Sequence, residues 1–569
     1  MVRLRTSSRH FYAFTLILNR GVLVFVLLLS LVALTSAQQL QRVETASAQP
    51  EDVAQQSAPA KAMPTDAVNA EILQELSRMR ARIEQLESQL KQRSEETAAN
   101  SAASSSGTEE LVRSATVVNV SAAPAVREQE SETAKSGPAK KEAKAEPFAF
   151  ADWTWLNGNP RTKEPAFDSK FFTPEVRVDV AYHYDFNHPK DDTIGGSSEV
   201  FRSNEVALTH LGIGGDFHYD HVRARVFTQL GQYATATPRN DASYSRGQWQ
   251  LDNAYRYLNE AYGGYHFDAL HGINVDAGIF LSYVGLFSFY QFDNWAYQPS
   301  YVSSNTPWFF TGMRIQVFPT EKLKIEPWII NGWQTYARPN GRLGLGGQIL
   351  WRPTPWLSII SNNYGLGADA IGIPNRTRYH TDDSVEVKYY DHPERLLTKM
   401  AFSLTGDLGC ESGGGVNCTT NKKDALGNII DHKQSFLGFM LYNRWWFNKD
   451  RYAFTLGGGK INNPGRYLVL LPPINGATAT TGTPYFTENP GDQFKAWDIS
   501  GTYDYMPSQY ITFRWEFNHR HANVPYWSGP GGVTPPGGNN GTPGATIPGW
   551  SPDLRKTEDR ATMGILVKF

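Results

Sequence analysis

The chain has 569 residues, of which 19% are charged and 13% aromatic, with 49 glycines and 33 prolines. Charge this sparse and aromatics this dense depart from soluble domains, where about 25% of residues are charged. A mean hydropathy of −0.43 excludes a bundle of apolar helices. A net charge of −2 and a pI near 6.7 provide no basic field for nucleic acid. Two cysteines exclude a disulfide-framework fold.

Arg3, Arg5, Arg9 and Arg20 precede an apolar stretch, Val22 to Leu34, that gives way to Thr35-Ser36-Ala37. A stretch of thirteen residues, apolar apart from Ser30, falls short of the roughly 20 that span a bilayer, so residues 1–37 read as a secretory signal peptide. Export places Cys410 and Cys418 where a local disulfide is stable, two free thiols being the alternative. Residues 38–65 read as a flexible segment.

Within 66–93, Ile72, Leu76, Met79, Ile83, Leu86 and Leu90 recur at spacings of four and three, a heptad seam. Three heptads are marginal alone in water, so a coiled coil with copies of the chain is expected, and with it a homo-oligomer, a trimer being one option. Residues 94–146 are rich in Ala, Ser, Glu and Lys and read as a disordered tether. An exported coil on such an arm could reach the cell wall.

After Pro147 the aromatics begin, and 147–569 reads as one all-β unit. Val176, Val178, Val180, Tyr182, Tyr184 and Phe186 alternate with Glu175, Arg177, Asp179, Ala181, His183 and Asp185. Segments of about 10 residues with one apolar and one polar face suit tilted strands crossing a membrane. Similar stretches begin near residues 175, 204, 222, 255, 273, 308, 322, 342, 356, 384, 396, 435, 451, 495, 510 and 557. Short breaks such as Tyr219-Asp220-His221 and Asn448-Lys449-Asp450 alternate with long Gly- and Pro-rich connections. The expected fold is a transmembrane antiparallel up-and-down β-barrel of about 16 strands, with both ends in the periplasm.

The final segment places Ala561, Met563, Ile565, Val567 and the terminal Phe569 on one parity. It has the form of the signal read by the barrel-assembly machinery of bacterial outer membranes. Trp328, Trp333, Trp351, Trp356, Trp445, Trp446, Tyr452 and Tyr510 are candidates for aromatic girdles facing membrane lipid.

Charge is costly against lipid, so Arg177, Arg223, Arg225, Arg314, Arg444, Arg514, Asp179, Asp276, Glu326 and Glu516 are candidate pore-lining residues, with Glu175 and Asp498 beside them. The connection Ser282 to Thr306 carries Phe287, Phe289, Tyr290, Phe292, Trp295 and Tyr297 with a single acid, Asp293. It is too aromatic for a solvated external loop. An inward fold that narrows the channel is expected, with rings on which sugars could stack and arginines that suit anions.

Gly457-Gly458-Gly459-Lys460 lacks phosphate-loop spacing, and the histidine pairs at 218/221 and 519/521 lack a supporting ligand set, so neither a metal nor another cofactor is expected. No spacing singles out a catalytic site.

The stretches Asp179 to Asn187, Asn294-Trp295 with Tyr297 and Tyr301, Thr311-Gly312-Met313-Arg314 and Asn331-Gly332-Trp333 resemble the OmpL-like β-barrel porins of Gram-negative bacteria, over about residues 150–569. The resemblance implies an outer-membrane channel for passive diffusion of small hydrophilic solutes, without catalytic residues. An adhesion or envelope-tethering barrel is the alternative.

Overall fold

The computed structural model describes residues 146–195, 200–339, 341–368, 375–464, 474–475, 485 and 491–569, together with Gln85 and Ser88, which are both helical. The expected signal peptide (1–37), flexible segment (38–65) and tether (94–145) lie outside the described residues, as does the coiled coil (66–93) apart from those two positions.

Among the described residues, sixteen strands form one closed antiparallel barrel. In chain order they are β1 (Phe172–Asp185), β2 (Val206–Tyr219), β3 (Val222–Thr228), β4 (Leu258–Phe267), β5 (Ile273–Leu281), β6 (Phe309–Thr320), β7 (Leu323–Ile330) and β8 (Gly344–Thr354). They continue as β9 (Leu357–Ala368), β10 (Thr377–Asp391), β11 (Leu397–Ser412), β12 (Ser435–Phe447), β13 (Tyr452–Asn462), β14 (Lys495–Ser508), β15 (Ile511–Ala522) and β16 (Thr557–Lys568). Each strand pairs with its neighbours in sequence, and β16 closes on β1 with Val178 opposite Val567 and Tyr184 opposite Ala561. The terminal residue seals this seam, because Phe569 and Val176 exchange both backbone hydrogen bonds. No helix among the described residues is long and apolar enough to cross a membrane, which leaves the strands to do so.

Alternation decides which face each side chain takes. On β1 the buried positions are Arg177, Asp179, Ala181, His183 and Asp185, while the valines and tyrosines between them point outward. Val206, Ile213, Leu437, Phe439, Met563 and Ile565 stand exposed on the outside. An apolar surface this extensive is far beyond what a monomer presents to water, and hydrocarbon is its natural solvent.

Connections also alternate. Seven turns of two to five residues close one end, and eight connections of eight to thirty-four residues close the other. Positive φ at Asp220 and His221, and at Asn448, Lys449 and Asp450, lets the chain reverse within these short turns, as hairpins require. By the outer-membrane plan the short turns face the periplasm.

β10 begins at Thr377, seven residues before the expected start near 384. The alternation fails there because Thr381 and Asp383 face outward, opposite Asn363 and Ser361 of β9. Three of the eight girdle candidates are also placed differently. Trp328 shares the inward face of β7 with Glu326, and Trp333 and Trp446 are buried inside, while Trp351 and Trp356 are exposed on the outer face.

Candidate functional site

The connection between β5 and β6, residues 282–308, turns into the lumen and lies against the wall formed by β12 to β16 and β1. A chain buried there must find partners for its peptide groups, and the inward side chains of the wall supply them. Arg514 donates to the carbonyl oxygens of Gln291 (3.0 Å) and Asn294 (2.6 Å) and to both oxygens of Asp504 (2.7 and 2.9 Å). Glu516 accepts from the amides of Tyr297 (2.6 Å) and Gln298 (2.9 Å), and Asp498 from the Tyr301 amide (2.7 Å) and Ser300 hydroxyl (2.8 Å). Arg444 reaches the Trp295 carbonyl (3.1 Å) and Asp504 (2.7 Å), and Arg520 reaches the Pro299 carbonyl (3.0 Å). On β1, Asp179 accepts from the Tyr297 hydroxyl (3.0 Å), and Arg177 donates to Glu175 and to Asp293 (2.8 Å).

Close approach is built into the wall. A Cβ on Gly459 would lie 2.4 Å from the Ser300 hydroxyl oxygen, so the glycine run on β13 leaves the space that the loop fills. Asp293 lies at the loop's turn. Burial pushes its carboxyl up, but Arg177 and Lys568 beside it outweigh burial and hold it below the usual carboxylate range.

The six constriction-loop candidates do not share one role. Phe289 and Tyr290 pack with Phe227, Tyr233 and Trp308, Trp295 meets Trp446 edge to face at 5.6 Å, and Tyr297 is fully buried. Phe287, against Tyr442 at 4.9 Å, is the aromatic among them that keeps partial exposure. The expectation of a ring-lined passage is therefore corrected: the rings hold the loop to the wall, and burial of 150–250 Å² per aromatic is what fastens it there.

The pore-lining candidates divide in the same way. All ten face inward; Arg177, Asp179, Arg444, Arg514 and Glu516 lie buried beneath the loop, Arg225, Asp276 and Glu326 are buried in ion pairs of the other wall, and Arg223 and Arg314 keep partial exposure. On the wall from β3 to β7, Arg225 pairs with Glu260 (2.7 Å), Asp216 (2.8 Å) and Glu175 (2.9 Å). Arg223 (3.1 Å) and Arg314 (3.0 Å) share Asp276, and Glu326 pairs with Lys324 (2.7 Å). Arg223 is the most exposed of these arginines, at 30% of its side chain.

Two features escaped the sequence. His380, Asp382 and Asp407 are buried on the inner faces of β10 and β11, with Asp382 opposite Asp407 and His380 2.9 Å from Asp407. Alternation with Val385 and Val387 carried over from residue 384 would have shown them. The second is the segment before β1, Phe148 to Thr162, which enters the lumen and touches the loop through the Gly158 amide on the Asp293 carbonyl (2.8 Å). Its aromatics, Phe148, Phe150, Trp153 and Trp155, were the available signal. Cys410 and Cys418 are joined in a disulfide at the outer end of β11. No group of three His, Cys, Asp or Glu among the described residues is arranged to hold a metal.

The family model described as putative beta-barrel porin-2, OmpL-like, matches residues 175–547, from the first strand into the last long connection. The chain belongs to this family. It is thus an outer-membrane β-barrel of porin type, whose fold and kinship point to a channel rather than an enzyme. Similar solved structures include the outer-membrane channel DcaP of Acinetobacter baumannii, 12% identical with a TM-score of 0.40, covering 71% of this chain and 100% of that one. An anion-selective porin from Comamonas acidovorans is 12% identical with a TM-score of 0.39, covering 70% and 99%. OprB of Pseudomonas putida is 11% identical with a TM-score of 0.39, covering 72% and 100%. A search of curated sequences finds no match.

Proposed function

We propose that this OmpL-like barrel is a passive diffusion channel for small hydrophilic solutes, sugars and small anions among them. The observation that carries the reading is the inserted loop 282–308, bonded chiefly to the wall from β12 to β1, while Arg223 and Arg314 on the facing wall keep partial exposure. A barrel of 16 strands is wide enough for an aqueous lumen, and a loop held rigidly inside it sets the size limit. Arg223, Arg225 and Arg314 each have a carboxylate partner, so their field on a passing ion is largely compensated. Selection by size over charge follows.

The homo-oligomer belongs to the same proposal. Asp383, with Thr381, Asn363 and Ser361 around it, breaks the apolar outer face, and a carboxylate there is better covered by another copy than by lipid. Reconstituted protein should pass graded neutral sugars into liposomes at rates that fall steeply with size. Folded barrels that pass none would overturn the channel reading in favour of envelope tethering. Crosslinking in membranes tests the oligomer.

A further inference from the structure

The segment leading into the barrel is fastened at two opposite points of the short-turn end. Near the β6–β7 turn, the Phe148 amide donates to the Glu321 carbonyl (2.7 Å) and Lys322 lies over the Phe150 ring (4.8 Å). Arg352 lies over Phe148 (5.1 Å) and Trp153 (4.7 Å) from neighbouring β8. At the β14–β15 turn, Asn159 donates to the Ser508 carbonyl (3.1 Å) and to the Thr512 hydroxyl (3.2 Å). Arg161 donates to the Met506 carbonyl and Thr162 to the Gln509 carbonyl.

Eight strands separate these two turns whichever way the barrel is followed. At about 4.8 Å per strand and about 40° of tilt, that arc is roughly 50 Å long. Phe148 and Asn159 are eleven positions apart and reach at most about 40 Å when the chain between them is fully extended. The chain is too short to follow the rim, whereas the diameter of such a barrel is roughly 30 Å. It must cross the opening.

The crossing is also locked from within. Arg444 donates to the Gly158 carbonyl (2.7 Å), and a Cβ on Gly158 would stand 2.4 Å from the Asn294 carbonyl oxygen. Trp155 is buried in the aromatic cluster that contains Trp295 and Trp446. On one side the crossing bounds a cavity of about 410 Å³, with Asp152, Trp155 and Lys163 facing Lys388, Lys399 and Asp450.

From this geometry we infer that residues 148–162 form a strap across the periplasmic exit, a second narrowing in series with the loop, which solutes pass on either side. The inference rests on the channel reading. Asp152 and Glu394 give a matched test, since both are exposed at this end, Asp152 on the strap and Glu394 in the β10–β11 turn. With Cys410 and Cys418 joined, a thiol introduced by Asp152→Cys or Glu394→Cys is the one that reacts. A bulky methanethiosulfonate reagent added from the periplasmic side should lower single-channel conductance about twofold or more at 152 and leave it unchanged at 394. In a second variant, Asn159→Ala with Arg161→Ala frees one end of the strap without touching the wall, and conductance should rise. Equal effects of the reagent at both sites, or conductance unchanged in the double variant, would overturn the strap. No current through the unmodified protein would overturn the channel itself, and the strap with it.

Discussion

On β12 and β15 the arginines of the lumen wall meet inserted chain, and on β3 and β6 they meet the carboxylates of neighbouring strands. Arg444, Arg514 and Arg520 donate to peptide carbonyls of the loop and strap, whereas Arg223, Arg225 and Arg314 donate to carboxylates across the strand ladder. In sequence the two sets look identical, each an arginine alternating with outward apolar residues. What separates them is the segment that comes to lie on top. A guanidinium carries five donors in a planar fork, so it can serve a carboxylate and two carbonyls together, and that capacity is spent differently on the two walls.

The largest test of this contrast is Arg514→Met, which leaves Asp504 buried with Arg444 as its remaining cation and frees two loop carbonyls. Removing one partner of a buried pair costs about 3–5 kcal/mol, so the variant should unfold at markedly lower temperature in heat-modifiability gels and show enlarged, noisy conductance. Next comes Gly158→Ala. Its methyl would press on the Asn294 and Phe292 carbonyls, and overpacking of about 1–3 kcal/mol should loosen strap and loop together, read as new proteolytic cleavage in residues 148–162 or 286–297.

A smaller effect concerns pH and Asp293. Because Arg177 and Lys568 hold its carboxyl below the usual range, its pairing stabilises the seated loop fully above the unfolded carboxylate value, about 3.9. That contribution fades as pH falls through the lowered value. Asp293 should contribute no change in conductance between neutral pH and about pH 4, and should act only in stronger acid. A change between pH 7 and 5 that disappears in Asp293→Asn would show that Arg177 and Lys568 do not hold this carboxyl low. Smallest of all is Arg223→Ala on the open wall, where a partly exposed pair is worth about 0–1 kcal/mol. Its thermal stability should match the parent, and only the reversal potential in a salt gradient should shift toward cations. If Arg223→Ala destabilises as much as Arg514→Met, the contrast between the walls is gone.

The barrel was legible because each strand carries its own two-residue period, a local signal that survives without knowledge of the partner. Where the outer face turns polar, at Thr381 and Asp383, the same reading lost seven residues of β10. Parity also held more information than aromatic content alone: Trp328 lies two residues from Glu326 and shares its inward face. The duties of Arg444 and Arg514 could not be read. They depend on carbonyls at Trp295 and Gln291, 149 and 223 residues away, and on the path of a loop with no period of its own. The strap was obscured for the same reason, since its aromatics announce burial but do not say against what.

The bond from Asn159 to Ser508 spans 349 positions of the chain. Loop closure over such a separation comes late, because ordering entropy is lost before the contact returns anything. Asn159 can therefore dock only once the hairpin of β14 and β15 exists, long after Phe148 has found Glu321. By the same reckoning the seam that joins Val176 to Phe569 closes later still.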